Sequence, residues 1–294
     1  MSETVESLAG KIEKVRQLGS VVRTMKALAA SSIRQYEDAV RALADYYRTV
    51  ELGLSACLRR METSPFVVSG APGGAGAMAV IVFGSDQGLV GQFNDLLADF
   101  VHERCEHLKG ELHLMSVGER IRFRLQDKGM ESAGLYGVPN SVDAITPLVG
   151  DLLAGVESLR EKEEMLELHL FYNSPESPGQ YHPVAKRILP LDEVWVEGIR
   201  DVTWPGKALP EVPAGPDSAF RDLVSEYLFV SVFRGCAESL ASENASRLVA
   251  MQRAEKNIDD MQEELSLAYH QIRQSRIDEE LFDVMSGFTA LSGK

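Results

Sequence analysis

The chain has 294 residues and a formal net charge of −14, which disfavours nucleic-acid binding because such binding calls for a basic face. Its three cysteines lie far apart without a CxxC pair, so we expect no disulfide framework and a reducing cytosol. No run of about 18 apolar residues predicts a membrane-spanning helix. The N-terminus has no apolar signal core, so export is not expected.

Residues 1–60 are predicted to form one long helix. Apolar or small residues recur there at steps of three and four over several heptads, which is typical of coiled-coil packing against a second long helix. These positions are Leu8, Ile12, Val15, Leu18, Val22, Met25, Ala29, Ile33, Tyr36, Val40, Leu43, Tyr47, Val50 and Leu54.

The same helix carries a basic stretch without a single acidic residue. Two interpretations stay open: a solvated helix face, or a cationic collar that faces an acidic partner. The basic residues are Lys14, Arg16, Arg23, Lys26 and Arg34.

Residues 77–205 are predicted to form an α/β domain. The segment 69–77, SGAPGGAGA, has the composition of a linker and marks the boundary before it. Alternating strands and helices then indicate a mostly parallel sheet with helices on both faces. The predicted strands are Ala77–Phe83, 111–117, 165–173 and 181–189; the predicted helices are 92–109, Glu119–Asp127 and 143–163; and Pro175, Pro178 and Pro183 are expected to bound a loop.

Residues 216–292 are predicted to form a second long helix. Proline is absent after Pro216, and apolar residues recur at helical spacing. At about 1.5 Å per residue, such a helix needs a partner of similar length, which residues 1–60 supply. The predicted fold is therefore α/β: a long antiparallel coiled coil of N- and C-terminal helices with an inserted Rossmann-like, mostly parallel α/β domain.

A glycine-rich turn, GSDQGLVGQFN, follows the first predicted strand. A glycine turn between a strand and a helix can cradle a phosphate, but neither nucleotide-binding fingerprint is present. We therefore expect a structural loop in which Gly84 and Gly88 allow the backbone geometry of the turn. A positive φ at Gly88 would require glycine at that position. Its residues of interest are Gly84, Asp86, Gly88, Gly91 and Asn94.

The sequence predicts no catalytic residue, no cofactor and no metal site. His102, Cys105 and His107 are close in sequence, but His107 lies off the helical face that the other two share. A closed zinc site also needs four ligands. Ser85 and Asp86 have no evident histidine partner, so no nucleophile–base pair is indicated.

Three segments resemble the γ subunit of the F-type rotary ATP synthase. They are KIEKVRQLGSVVRTMKALAASSIRQYEDA at the N-terminus, GSDQGLVGQFN in the middle, and the stretch from ESLASENASRLVAMQ to DVMSGFTAL at the C-terminus. The chain departs from the family pattern at Gln87, Val90 and Asp278. The N-terminal segment is similar to an alternative bacterial branch of the family.

The resemblance implies a central rotor shaft that couples ion flow through the membrane sector to ATP synthesis or hydrolysis on the α/β ring. It implies as partners the α and β subunits, the ε subunit and the membrane c-ring, with membrane contact only through the complex, at the cytoplasmic face of the inner (plasma) membrane. It also implies a non-catalytic subunit. By resemblance the ring contacts are Met25, Lys26, Arg247, Arg273 and Gln274.

Two alternatives remain from the residues alone. One is a Rossmann-like nucleotide-binding enzyme, which tight stoichiometric ATP binding would support. The other is a free-standing coiled-coil scaffold, which would not co-purify with α and β subunits.

Overall fold

The structure, a computed structural model, describes residues 4–61, 77–106, 110–162, 166–177, 179–191, 193–206, 208, 210–212 and 215–292. By packing, the chain divides into two compact units. The helical unit comprises residues 1–29 and 248–294, and the sheet unit comprises residues 30–247. Two helices contribute to both units: α1, Val5–Leu58, and α6, Pro216–Ser292.

The sheet unit contains five strands and four shorter helices among the described residues. The strands are β1 Ala77–Phe83, β2 Leu112–Val117, β3 Ser132–Tyr136, β4 Leu166–Ser177 and β5 Gln180–Leu189. The helices are α2 Phe93–Glu106, α3 Glu119–Asp127, α4 Ile145–Arg160 and α5 Glu193–Arg200.

The strand order in the sheet is β3-β2-β1-β4-β5. β1 pairs in parallel with β2 and β4, β2 pairs in parallel with β3, and β4 and β5 form an antiparallel pair. Every residue of β1 is buried, as expected for a central parallel strand covered on both faces. The mostly parallel α/β architecture predicted from the sequence is confirmed.

Alternate residues of β1 supply two separate hydrophobic cores. Ala79, Ile81 and Phe83 pack with α4 and with the parts of α1 and α6 that belong to the sheet unit. Met78, Val80 and Val82 pack on the opposite face with α2 and α3. Since successive side chains of a strand point to opposite faces, one short apolar run fills both cores.

Three local features differ from the sequence prediction. β3 and α5 were not predicted, and both are short segments without an extended apolar run. Pro175 and Pro183 do not bound a loop: they lie within the β4–β5 pairing, where β5 is an edge strand. Pro183 is tolerated on this edge strand because its missing N–H can face away from the ladder, and Pro175 of β4 lies next to an irregularity in the register. Pro178 lies outside the described residues.

The helical unit pairs α1 and α6 in antiparallel fashion. Leu8, Val15 and Ala29, which lie on one heptad-spaced row of α1, are almost fully buried. A methyl group added at Gly19 would lie 3.2 Å from Cγ2 of Ile258, so the two helices approach closely there. Val22 and Met25, two further residues predicted at this helix–helix contact, are half-buried. Leu18, also predicted there, is 57% exposed, because its neighbour Gly19 is the residue that faces α6.

No helix within the described ranges has the length and apolarity needed to cross a bilayer. Over the same residues, no group of three or more histidine, cysteine, aspartate or glutamate side chains is arranged to hold a metal ion. His107, one of the three residues weighed as metal ligands, lies outside the described residues.

Candidate partner-contact sites

The glycine-rich loop between β1 and α2 is held by its own side chains. Asn94 Oδ1 accepts a hydrogen bond from the backbone N–H of Ser85 at 3.0 Å, and Asn94 Nδ2 donates to Ser85 Oγ at 2.8 Å. The backbone N–H of Gly84 donates to Val117 O at 2.9 Å. The N–H groups of Gly84 and Ser85 are therefore used within the protein and are not free to hold a phosphate.

Asp86 joins three loops at the carboxyl ends of the parallel strands. Its Oδ1 accepts from the backbone N–H of Glu119 at 2.8 Å, and its Oδ2 accepts from the backbone N–H of Val138 at 2.9 Å. Hydrogen bonds to a charged acceptor are among the stronger ones in proteins. The carboxylate therefore fixes the β1 loop to the chain segments that follow β2 and β3.

The glycines of this loop have different roles. A Cβ at Gly84 would lie 2.2 Å from Cβ of Ile121, so only glycine fits beside α3. Gly91 has φ +58°, a conformation that glycine adopts without strain. Gly88 does not have a positive φ, and its nearest neighbour is Arg120 Nη2 at 3.8 Å; the positive φ lies at Leu89 instead. The requirement for glycine that was expected at Gly88 is therefore found instead at Gly84, where a Cβ would clash, and at Gly91, where φ is positive.

Two serines of α6 connect that helix to β1 and its loop. Ser239 Oγ donates to Phe83 O at 2.9 Å, and Ser246 Oγ donates to Val90 O at 2.5 Å. Sequence analysis did not single out these serines, because the acceptor of each bond lies 156 residues away in the chain.

Arg247 lies next to this connection and is engaged within α6. Its Nη2 donates to Glu243 Oε1 at 2.5 Å and its Nη1 donates to Asn244 Oδ1 at 3.3 Å. The side chain is 14% exposed. Burial raises the pKa of the Glu243 carboxyl, and the charge on Asp86 adds to this, whereas Arg247 opposes it. The role of Arg247 as a ring contact stays a prediction.

The remaining predicted ring contacts lie in the helical unit. Met25 and Lys26 are half-buried, and Lys26 Nζ forms an ion pair with Glu255 Oε2 of α6. Arg273 and Gln274 are exposed. Arg273 makes no ion pair with any residue that the structure describes, and Glu280, weighed as its neighbour, pairs with Arg276 at 3.5 Å. The side chains at 273 and 274 are thus available to a partner.

The last third of α6 exposes a series of large apolar side chains. Leu281 is 55% exposed, Phe282 69% and Val284 71%. Large exposed apolar patches on soluble proteins mark interaction sites. The end of α6 is therefore a candidate interaction surface.

Comparison with known proteins shows which family the chain belongs to. A family model described as ATP synthase matches residues 4–291. The chain is 28% identical to the ATP synthase gamma chain of Salinibacter ruber, over 98% of each chain, and 28% identical to that of Syntrophus aciditrophicus, again over 98% of each. The chain thus belongs to the ATP synthase family. Both of these relatives are γ chains matched over 98% of their length, which confirms the resemblance seen in the three sequence segments.

Solved structures show the same fold. A chain of the Euglena gracilis mitochondrial ATP synthase, in a structure of its OSCP, F1 and c-ring, superposes with a TM-score of 0.65 at 15% identity, covering 98% of this chain and 94% of that one. A chain of the Tetrahymena thermophila central stalk and c-ring superposes with a TM-score of 0.56 at 18% identity, covering 80% and 99%.

Proposed function

We propose that this chain is the central rotor shaft of an F-type ATP synthase and itself carries no catalytic residue. In this role, α1 and α6 form a shaft inside a ring of α and β subunits, and the sheet unit contacts the ε subunit and the membrane c-ring. The complex couples ion flow to ATP synthesis or hydrolysis at the cytoplasmic face of the inner (plasma) membrane, to which this chain is bound only through its partners.

The exposed end of α6 is the observation that carries this proposal. From Arg273 to Ser286 every residue of the helix is exposed, and the apolar ones among them gain by being covered, at roughly 25 cal/mol per Å² of apolar surface removed from water. A ring of subunits around the helix would cover them on all sides. An isolated scaffold or an isolated enzyme gives no reason for that exposure.

Arg273 and Gln274 are proposed to supply directional contacts within that apolar environment. A guanidinium can form a bidentate pair with a carboxylate, so acidic loops of the ring would be held at one shaft angle and released at the next. The contact has to be modest for rotation to continue, and a partly exposed pair worth on the order of 1 kcal/mol meets that demand.

The test is the double variant Arg273→Ala/Gln274→Ala in an assembly reconstituted with its α and β subunits. We expect ATP turnover to fall while the subunit content stays intact, because the contacts act during rotation rather than in assembly. Gln252→Ala/Arg253→Ala is the matched control: both residues are adjacent and exposed on the same helix. Equal turnover in wild type and both variants would contradict the assignment of residues 273 and 274.

The shaft role has its own test, independent of those residues. A map of the native assembly is expected to show one copy of this chain on the axis of a six-membered ring. Recovery of the chain from native membranes without α and β subunits would instead support the free-standing scaffold.

A further inference from the structure

A mainly apolar cavity lies in the sheet unit, where it is formed by α4, the end of β5 and the first turns of α6. Its volume is about 450 Å³, within the range of roughly 300–1,000 Å³ that is usual for small-molecule sites. Because three elements bound the cavity, it suits a compact ligand better than a flat protein surface. The aliphatic lining residues are Leu153, Ala154, Val156, Leu189, Val224 and Leu228.

Aliphatic side chains of the hydrophobic core form the inner wall of this cavity. Val156 and Val224 are buried members of that core, and Leu153, Leu189 and Leu228 are partly buried against it. No aromatic side chain is among the lining residues. A flat ring therefore has no stacking partner there, whereas an alkyl chain gains free energy from each methylene group that is removed from water.

The lining also includes one arginine without a partner, Arg221 of α6. This residue is exposed, so a ligand can reach it, and its guanidinium makes no ion pair or hydrogen bond with any residue that the structure describes. The other charged lining residues, Glu157 and Arg160 of α4, pair with each other at 3.4 Å. Since arginine stays protonated in proteins, the positive charge of Arg221 does not depend on any titration.

Another cavity of the sheet unit has arginines that are all paired. It lies between α1, β4 and α6 and has a volume of about 380 Å³. Its Arg234 pairs with Glu238 at 2.7 Å, and its Arg41 pairs with Asp38. The two cavities are similar in size, but only the one beside α4 has a lining arginine that is available to a ligand.

We propose that the cavity beside α4 binds a straight-chain aliphatic carboxylate, with its alkyl chain against the aliphatic wall and its carboxylate paired with Arg221. A guanidinium can donate two parallel hydrogen bonds to a carboxylate. The single negative charge of this head group matches the one lining arginine that has no partner. The proposal goes beyond the proposed function and does not rest on it, because the chain alone contains the whole site.

The first experiment tests the alkyl chain by isothermal titration calorimetry on the full-length protein. The probes are hexanoate, octanoate and decanoate, each below the concentration at which it forms micelles. We expect saturable binding at one site, with an affinity that rises about fourfold for each added methylene group, since burying a methylene contributes about 0.8 kcal/mol. Equal affinities for the three acids, or binding that does not saturate, would overturn the proposal.

The second experiment tests the head group by comparing octanoate with octanol, which has the same chain without the charge. The wild type is expected to bind octanol about fivefold more weakly, the difference that a partly exposed ion pair supplies. Arg221→Gln is expected to lower the affinity for octanoate to that for octanol and to leave octanol binding unchanged. Arg253→Gln, at an exposed site of α6 outside the cavity, is the control; an equal loss of octanoate binding in both variants would overturn the assignment to Arg221.

The third experiment locates the alkyl chain by blocking the cavity. Ala154 and Ser158 are both exposed on α4, but only Ala154 is part of the lining. Ala154→Phe is expected to abolish octanoate binding, and Ser158→Phe is expected to keep it, with urea unfolding as the check that both variants are folded. An alkyl chain could instead adsorb to the exposed apolar end of α6. Adsorption there would leave octanoate binding unchanged in both phenylalanine variants and in Arg221→Gln, and that result would overturn the proposal.

Discussion

The two parts of α6 are held in the same conformation by different means. From Phe220 to Arg247 the helix belongs to the sheet unit and is mostly buried, with small residues and serines that donate to backbone carbonyls of other elements. From residue 248 onward most side chains are exposed and charged residues are frequent. One continuous helix can therefore serve as a core element in one stretch and as a partner-facing surface in the next, because packing and propensity stabilise helices independently.

The largest expected effect lies where β1 and its loop meet the buried part. Gly84→Val would place Cβ within 2.2 Å of Ile121 Cβ and 2.9 Å of Asn94 Oδ1. We expect a loss of more than about 3 kcal/mol in the free energy of unfolding, since the strand end cannot move away from α3. Urea unfolding measures it. Gly88→Ala, at an open position, is the control and is expected to stay within about 0.5 kcal/mol of wild type.

A second prediction concerns the contact between α1 and α6 in the helical unit. Ala29→Asp would put a carboxylate at a site that is 2% exposed, and we expect a loss of about 2–3 kcal/mol or an upward shift of the new carboxyl's pKa. Leu28→Asp, at a neighbouring site that is 63% exposed, is expected to be nearly silent. Equal urea midpoints for the two variants would place Ala29 outside this contact.

A third prediction follows from the raised pKa of Glu243. A carboxyl whose pKa is higher in the folded chain keeps a proton that the unfolded chain has released. The free energy of unfolding of the wild type is therefore expected to fall relative to that of Glu243→Gln as pH rises above the ordinary value of 4.5. Charged neighbours that face the carboxyl are Asp86 of the β1 loop and Arg247 of α6, and Tyr36 of α1 lies nearby. Urea unfolding at a series of pH values checks the sign; parallel curves would contradict it.

The smallest expected effect is that of the ion pair between Lys26 and Glu255. Their side chains are 35% and 21% exposed, so water screens the attraction only in part. A double-mutant cycle with Lys26→Met and Glu255→Gln is expected to give a coupling energy of about 0.5–1 kcal/mol. The more exposed pair of Arg16 and Glu13 is expected to give about 0.3 kcal/mol. A larger coupling for the exposed pair would contradict this ranking.

The long-range organisation was predictable from the sequence because it depends on periodicity. The heptad-spaced residues of α1 and the alternating α/β segments predicted a helical pair with an inserted sheet, and ranges such as Ala77–Phe83 and Glu119–Asp127 coincide with β1 and α3. These signals come from runs of side chains that share one environment.

The parts that sequence analysis missed depend on tertiary pairing. β3 has the sequence SAGLY, which becomes a strand only through its parallel hydrogen-bond pairing with β2. Asp86 was expected in a structural loop, but its two backbone partners are 33 and 52 residues away in the chain. A single sequence contains no local signal for such bonds.

The bonds from Ser239 and Ser246 to the carbonyls of Phe83 and Val90 have a mechanical consequence. They leave the same side of α6 two turns apart, about 10 Å along the helix axis. Two attachment points at different heights add to the resistance of this packed stretch of helix to rotation about its own axis against the sheet. A torque applied to the sheet unit is therefore transmitted to the backbone of α6 as a twist of the whole segment. The two hydroxyl groups couple the helix to the sheet at two points along this segment.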